Sequence, residues 1–543
     1  MPEKRTLVFY GSLLLIIGFL IGFTSNNYFS DNQTYKQIQK LNKVLNLTIK
    51  NYVDPVDTEK LVDSAIEGML KELDPHSIYI PSKELIKVNE DIQGKFEGIG
   101  IEYDIVHDTL VVVNPIADGP SIAVGIQAGD RIIEIDDSTS IGISRENVPK
   151  KLRGTKGSKV KLKIQRPSTN EMLDFVVIRD QVTLFSVDTA FMLDKSTGLI
   201  KVNRFSATTY DEFKEALINL KRDGMTRLIL DLRGNPGGYL DQAVKMADEF
   251  LDGTKKIVYT KSRDSAQDET HNASFSGNFE KGSLVVLIDR YSASASEIVT
   301  GAIQDWDRGI VVGETSFGKG LVQKQYPLDE DNSAVRLTIS RYYTPSGRLI
   351  QRSYSHGKEE YYNELNNRNK NELVSANEIT FSDSLHPKFR TANERIVYGG
   401  GGITPDFFIS QDTLSTFSYS LIRKNVFYEF TRPYMDQNRE SIKSDFPDLD
   451  SFNNNFFVTD SLFKSFLSDA EMQGIQLNEI EILSDKDWIT NYLKATIARQ
   501  IWGNLGFYKV NSRTDQVLKN AQQLISNDQL IFQSLKFIKR EDK

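Results

Sequence analysis

Not one cysteine occurs in the 543 residues. That excludes disulfides, thiolate zinc sites, a cysteine nucleophile and a lipidated cysteine anchor. It leaves the compartment open, because a cysteine-free chain survives oxidising and reducing surroundings alike. Histidine is also scarce. His76, His107, His271, His356 and His386 are scattered, with no H-E-x-x-H among them. Each reads as a surface or capping residue, so no metal enzyme is expected and no cofactor is implied. There is no long basic run, and the net charge is −8, which argues against a nucleic-acid partner. No G-x-S-x-G elbow presents a serine. Internal repeats and low-complexity tracts are missing too.

What is present is a globular composition, 39% hydrophobic and 26% charged, on a chain too long for one ordinary domain. Lys4 and Arg5 precede an uncharged run from Leu7 to Phe23. At about 1.5 Å per residue this run reaches roughly 25 Å, barely a bilayer core. Thr24-Ser25-Asn26-Asn27 follows without a clear A-x-A cleavage site. Residues 1–25 are therefore expected to be an uncleaved signal anchor, with the remaining chain on the non-cytoplasmic (periplasmic) side. A cleaved signal peptide is the alternative. No later segment is apolar enough to cross a membrane.

The pattern along the rest of the chain predicts a multidomain α+β protein. Residues 35–92 read as helical, with Leu41, Val44, Leu45 and then Leu61, Ile66, Met69, Leu70 at three- and four-residue spacing. Asp54-Pro55 breaks the first helix and Asp74-Pro75 ends the second. Residues 93–180 read as a small β-rich module, where Val160-Lys161-Leu162-Lys163-Ile164 alternates as a half-buried strand should. Over 181–410 strands alternate with helices, which predicts an α/β core with sites at the strand-to-helix turns. Within it Ser353 to about Asn393 is polar and expected to be loop-rich. Residues 411–543 read as a separate helical region, dense in Phe and Tyr, of unknown role.

Two turns of the α/β core could carry chemistry. Arg233-Gly234-Asn235-Pro236-Gly237-Gly238 lets a backbone approach a ligand closely and point N–H groups at an oxyanion or phosphate; it could equally be a plain tight turn. Tyr291-Ser292-Ala293-Ser294-Ala295-Ser296-Glu297 precedes a helix, whose N-terminus offers free donors to a developing anion. A serine there can be a nucleophile or merely a cap, and Ser-x-x-Glu fits a cap. A nucleophile needs a base, and Lys319 lies downstream between Gly318 and Gly320. Desolvation would lower such a lysine from about 10.4 toward 7–8, at a cost of about 4 kcal/mol. Read alone, it is an exposed hairpin lysine.

Together these segments resemble the carboxyl-terminal processing peptidases, or tail-specific proteases. That family carries its serine in S-A-S-A-S-E, a lysine in F-G-K-G about 25 residues later, and a glutamine four beyond. Here Lys319 lies 25 residues past Ser294, and Gln323 four past Lys319. The resemblance implies Ser294 as nucleophile, Lys319 as general base and Gln323 as the residue orienting the lysine. It further implies an oxyanion hole at Gly237-Gly238, with the amides of Gly238 and Ala295 as donors. Residues 93–180 look like the family's PDZ domain, with Gly98-Ile99-Gly100-Ile101 as the loop that would hold a substrate's C-terminal carboxylate. Leu73 to Ser77 and Gly402 to Asp406 are also similar to family patterns, so the likeness runs from about residue 35 to 410. The function it implies is a metal-free, membrane-anchored serine endopeptidase acting through an acyl-enzyme. Its substrates would be envelope or lumenal proteins with exposed, apolar C-termini. The rival from another class is a non-catalytic membrane-tethered PDZ adaptor or chaperone; a third option adds an activating adaptor docked on the C-terminal region. Ser292 and Ser296 are expected to be dispensable neighbours of Ser294.

Overall fold

The computed structural model describes residues 32–527, apart from 107, 117–118, 168–170, 275–276, 329–330, 373–385 and 411–413. The expected anchor at residues 1–25 thus lies outside the described residues, as does His107. Among the described residues, no helix is long and apolar enough to cross a membrane.

The chain divides into two compact units, Met1–Leu73 and Asp74–Lys543. In the first, helices Asn32–Asn51 and Thr58–Lys71 flank the Asp54-Pro55 break. Asp57 caps the second of them by accepting from the Lys60 amide at 3.1 Å.

The core of the second unit is a six-stranded sheet. Its strands are β1 (Val187–Met192), β2 (Thr197–Val202), β3 (Arg227–Asp231), β4 (Ser283–Ile288), β5 (Ile310–Gly313) and β6 (Phe407–Phe408), and their order in space is their order in the chain. β1 is antiparallel to β2, and all the other pairs are parallel. Helices α1 (Thr209–Arg222), α2 (Leu240–Asp248) and α3 (Ala295–Asp305) make the first three parallel crossovers. Such crossovers are right-handed, and the strand order never reverses, so all three helices land on one face. There Phe213, Leu217, Met246, Val299 and Ile303 pack on Ile200, Leu228, Leu230, Val286 and Val311.

The other face, carrying Leu199, Ile229, Val285, Leu287 and Val312, needs a separate cover. α4 (Gln516–Ser526) supplies it through Val517, Leu518, Ala521 and Ile525, spaced by one helical turn. The C-terminal region is helical, as expected, and its last described helix completes the α/β core. An amphipathic stripe announces that it will be buried, not which surface will bury it. The other C-terminal helices reach the β-rich module, where the Asn425 amide donates to Asp104 at 2.7 Å and Arg131 pairs with Asp436 at 3.2 Å.

That module has strands Ile101–Val106, Thr109–Pro115, Arg131–Ile135, Lys159–Arg166 and Glu171–Ile178, in that spatial order and all antiparallel. Its core gathers Leu110, Val112, Ile132, Val160, Leu162 and Ile164, the inward half of each alternating strand. Ile101–Val106 lies at the sheet edge. Two further departures come from weak local signal. Ile78–Ile80 is a three-residue strand paired with the distant Ser333–Tyr343, inside a stretch expected to be helical. The stretch expected to be loop-rich holds helix Gly357–Glu372 and a hairpin of Lys388–Arg390 with Ile396–Tyr398. That helix has a mostly polar sequence, so no apolar period announced it.

Candidate active site

Three turns meet at the carboxyl ends of β3, β4 and β5, and buried polar groups tie them together. After β4, the Asp289 carboxylate accepts from the amides of Tyr291 and Ser292 in its own turn and from the Gly234 amide of the β3 turn at 2.9 Å. Asn235 forms a second tie. Its carbonyl accepts from the Ala293 amide and the Ser296 hydroxyl, both at 3.0 Å. A third joins the β4 and β5 turns, where the Phe317 amide donates to the Ser292 carbonyl at 2.9 Å.

Ser294 is the N-cap of α3, at φ 55° and ψ −112°. A non-glycine residue there is strained by of order 1–3 kcal/mol and persists only where its surroundings over-determine it. They do so here. The Ser294 amide donates to Glu297 Oε2 at 2.8 Å, and its carbonyl accepts from the amides of Glu297 and Ile298.

Glu297 does more than face the cap. Its buried carboxylate also takes the Lys319 amide on Oε2 at 2.9 Å. On Oε1 it takes the Gly318 amide at 2.7 Å and the Ser316 hydroxyl at 2.5 Å. Burial raises its pKa, and these four donors work against that shift. The Ser316 hydroxyl in turn accepts from the Ile403 amide at 2.6 Å, which links in the Gly402 to Asp406 segment. The buried Tyr342 hydroxyl sits 2.5 Å from the Lys319 carbonyl and 3.1 Å from that of Ser294. The backbones of Ser294 and Lys319 therefore share two partners, one carboxylate and one phenol.

Lys319 is partly buried, and its pKa is pushed down to about 8, first by desolvation and then by the nearby charge of Arg336. The carboxylates of Glu297 and Asp74 act in the opposite direction without reversing it. His76 is lowered to about 4, again by burial first and by the charge of Lys319 second. Its Nε2 lies 3.1 Å from the Tyr361 hydroxyl.

Gly237 is pressed against the serine turn. A Cβ on it would come within 2.8 Å of Ser294 Cβ and of the Ala295 nitrogen. Its own amide is engaged, donating to the Asn235 side chain at 2.9 Å. Gly238, at φ 151°, has Phe205 against its Cα, where a Cβ would meet the Phe205 carbonyl at 2.0 Å. Among the described residues, the amides of Gly238 and Ala295 donate no hydrogen bond.

Not every expected residue falls into this cluster. The Gln323 amide nitrogen lies 3.3 Å from the Leu321 carbonyl and 3.4 Å from Thr338 Oγ1, with no hydrogen bond to Lys319. Thr338 donates to Asp74, which also holds Ser77, so Gln323 belongs to a network on the far strand. A register shift between Val322 and Gln323 turns the strand at this point. Gly98 to Ile101 lies in the β-rich module, joining strand Lys95–Gly98 to the edge strand. Ile99 is buried there, and its carbonyl accepts from the amide and hydroxyl of Ser121 at 2.9 and 2.7 Å.

Ser292 and Ser296, expected to be dispensable for activity, are structural parts of the turns. Both are fully buried, and Ser292 Oγ donates to the Leu232 carbonyl while accepting from the Asp289 amide, each at 2.9 Å. Losing the Ser292 hydroxyl leaves the Asp289 amide without its acceptor, at about 1–3 kcal/mol. Sequence reasoning saw Glu297 only as a cap partner and missed Tyr342 altogether. The Ser-x-x-Glu spacing signalled the first; nothing local signals the second.

Comparison with known proteins decides the family. The chain is 35% identical over 348 residues, 63% of its length, to a carboxy-terminal-processing protease of Bartonella bacilliformis, and covers 78% of that protein. The chain belongs to the carboxy-terminal processing protease family. It is a serine-type peptidase. It is also 35% identical to the carboxy-terminal processing protease CtpB of Bacillus subtilis, over 60% of this chain and 67% of that one. Residues 196–357 match the model of peptidase family S41 and residues 98–177 that of the PDZ domain. Residues 23–84 match the N-terminal domain of the activating protease CtpB, and 417–503 a family of unknown function. Among solved structures, the photosystem II D1 C-terminal processing protease aligns with 56% of this chain and 82% of its own. The identity is 28% and the TM-score 0.32, and the assignment does not rest on it.

The lowered pKa of Lys319 has a consequence for stability. Its folded pKa of about 8 lies below the ordinary 10.5, so the unfolded chain binds more protons between those values and stability rises with pH across that window. At pH 7 the charged, desolvated side chain carries the full penalty, roughly 3 kcal/mol. Lys319→Met should accordingly be more stable than the parent at pH 7 by up to about 3 kcal/mol, with the gap closing from pH 8 to 10.5. Denaturant unfolding at both ends of that range measures it, and a Met variant less stable at pH 7 contradicts the assignment.

Proposed function

We propose that Ser294 and Lys319 are the catalytic dyad of this peptidase, and that it cuts proteins chosen by their C-terminal tails. The observation that carries the dyad is the shared pair of partners: Glu297 and Tyr342 each bind both residues, and Lys319 is desolvated enough to shed its proton near pH 8. In this reading neutral Lys319 Nζ takes the proton of Ser294 Oγ as the oxygen attacks the scissile carbonyl carbon. The tetrahedral oxyanion is held by the unengaged amides of Gly238 and Ala295, while Gly237 contributes only the room for close approach. Protonated Lys319 then hands its proton to the leaving amine, the C–N bond breaks, and an acyl-enzyme remains. Water, deprotonated by the same lysine, releases it. Gln323 orients the lysine indirectly, through the strand that carries Thr338.

Tail selection is supported by the PDZ match and by the edge position of Ile101–Val106, where a peptide can add as a further strand. The loop Gly98 to Ile101 would hold the tail's carboxylate, and an apolar final side chain buried beside it would add about ten- to a hundredfold in affinity. The uncharged run behind Lys4-Arg5 supports an anchored, periplasmic placement.

Ser294→Ala and Lys319→Ala should each abolish cleavage of an unfolded protein while leaving its circular dichroism unchanged. Lys319→Arg should not rescue, because arginine stays charged. Parent kcat/KM should rise with pH through about 8, since only the neutral lysine is a base. Activity in either lysine variant removes the dyad. For the tail, one peptide with a free and an amidated C-terminus should be cut at different rates below saturation, the free form faster; equal rates remove tail recognition alone. For the anchor, full-length protein should sediment with membranes through a high-salt wash, and release by salt would refute it.

A further inference from the structure

The β3 turn that carries Gly237 and Gly238 starts at Arg233, and Arg233 is held from two sides. Its Nε and Nη2 donate to the Asp231 carboxylate at 3.0 and 2.7 Å. Its Nη1 and Nη2 donate to the two oxygens of Asp515 at 3.0 and 2.7 Å. Asp231 ends β3, but Asp515 comes from 282 residues further along, at the N-cap of α4. Both guanidinium edges are thus satisfied in a planar fork, the geometry that only arginine offers. The surroundings are dry, with the Arg233 side chain only 11% exposed and that of Asp515 19%. Burial alone would raise the Asp231 carboxyl, but Arg233 and Lys201 hold it well below the usual range, so it stays charged. Lys201 also donates to the Arg233 carbonyl at 3.1 Å.

We infer that Asp515 is a positioning residue for the oxyanion turn, so that residues beyond 500 set the geometry of the active site. This rests on the reading of Gly238 and Ala295 as oxyanion donors. The Arg233 side chain is the one long lever on the turn, and Asp515 closes half of its fork. A crevice of about 410 Å³, lined by Trp488, Tyr508, Asn511 and Thr514, opens beside the pair. With that half open, the guanidinium can pivot about Asp231 toward this crevice and draw the turn along. Displacing two backbone donors from the developing anion lowers the rate without weakening ground-state binding. α4 also buries the otherwise bare face of the sheet, so the same helix that completes the core delivers the clamp.

The atoms allow the clamp to be separated from the fold. Asp515 Oδ1 caps α4 by accepting from the Leu518 amide at 3.0 Å and also takes Arg233 Nη1, whereas Oδ2 accepts from Arg233 Nη2. Asp515→Asn keeps the capping oxygen but sets an N–H donor against the guanidinium. In the full-length protein this variant should keep its melting temperature within a few degrees. Its kcat should fall on the order of tenfold with KM within about twofold, as a misplaced site does. The inhibition constant of a peptide boronic acid, which becomes a tetrahedral anion on the serine, should rise by the same factor. Asp515→Ser also caps without opposing the arginine, and serves if the Asn variant folds poorly. Leu518→Ala loosens the same helix with the clamp intact, and should lower the melting temperature while leaving both constants unchanged per folded molecule. Unchanged kcat and inhibition constant in Asp515→Asn, with Ser294→Ala inactive, overturn the inference and leave the dyad standing. Cleavage surviving in Ser294→Ala overturns both.

Discussion

Four hydrogen bonds converge on the buried carboxylate of Glu297, and the arrangement of the site depends on them. Two of the donors, the amides of Ser294 and Lys319, belong to residues 25 positions apart on different turns. The other two hold the backbone just before the lysine. A buried carboxylate without partners would be prohibitively costly, so the donors must stay in place for the fold to exist. The need to satisfy one charge thus fixes two backbones against each other. Tyr342 repeats the constraint from the opposite side with a single hydroxyl.

The site holds strain that such a frame must absorb. Ser294 sits in a backbone region that non-glycine residues avoid, and Lys319 keeps a charge in surroundings that lower its pKa to about 8. Both features are unfavourable for stability and useful for chemistry. The first places the Ser294 side chain at the N-terminus of α3, and the second lets Lys319 lose its proton more readily than an ordinary lysine. Ser292, Ser296 and Asn235 offset them by tying the surrounding turns together through buried hydrogen bonds.

The sheet explains why the C-terminal region matters. Its strands follow one another in space without reversal, so its crossover helices cover one face only. The second face is closed by α4, the last described helix, whose N-cap Asp515 pairs with Arg233 at the start of the turn after β3. The helix that completes the core thus also holds, at its N-cap, the carboxylate that binds Arg233.

Much of this could be read before folding was considered. The apolar runs of β3 and β4, the glycine turn after one and the small-residue turn after the other are local patterns, and local patterns survive in a one-dimensional string. So did the spacing from Ser294 to Lys319 to Gln323. Local pattern could not say that Glu297 binds the lysine turn as well as the cap, because its four donors are assembled from two separate turns. It could not separate Gly237, whose amide is used by Asn235, from Gly238, whose amide is not. Nor could it foresee the strand Ile78–Ile80, which exists only through its pairing with Ser333–Tyr343. The sequence by itself determined the buried strands β2, β3 and β4, which turns follow them and which residue types stand on those turns. Tertiary structure alone decided which carboxylate joins the serine to the lysine and which helix covers the bare face. Those contacts link residues up to several hundred positions apart, and hydrogen-bond and packing partners at that distance leave no periodicity in the chain.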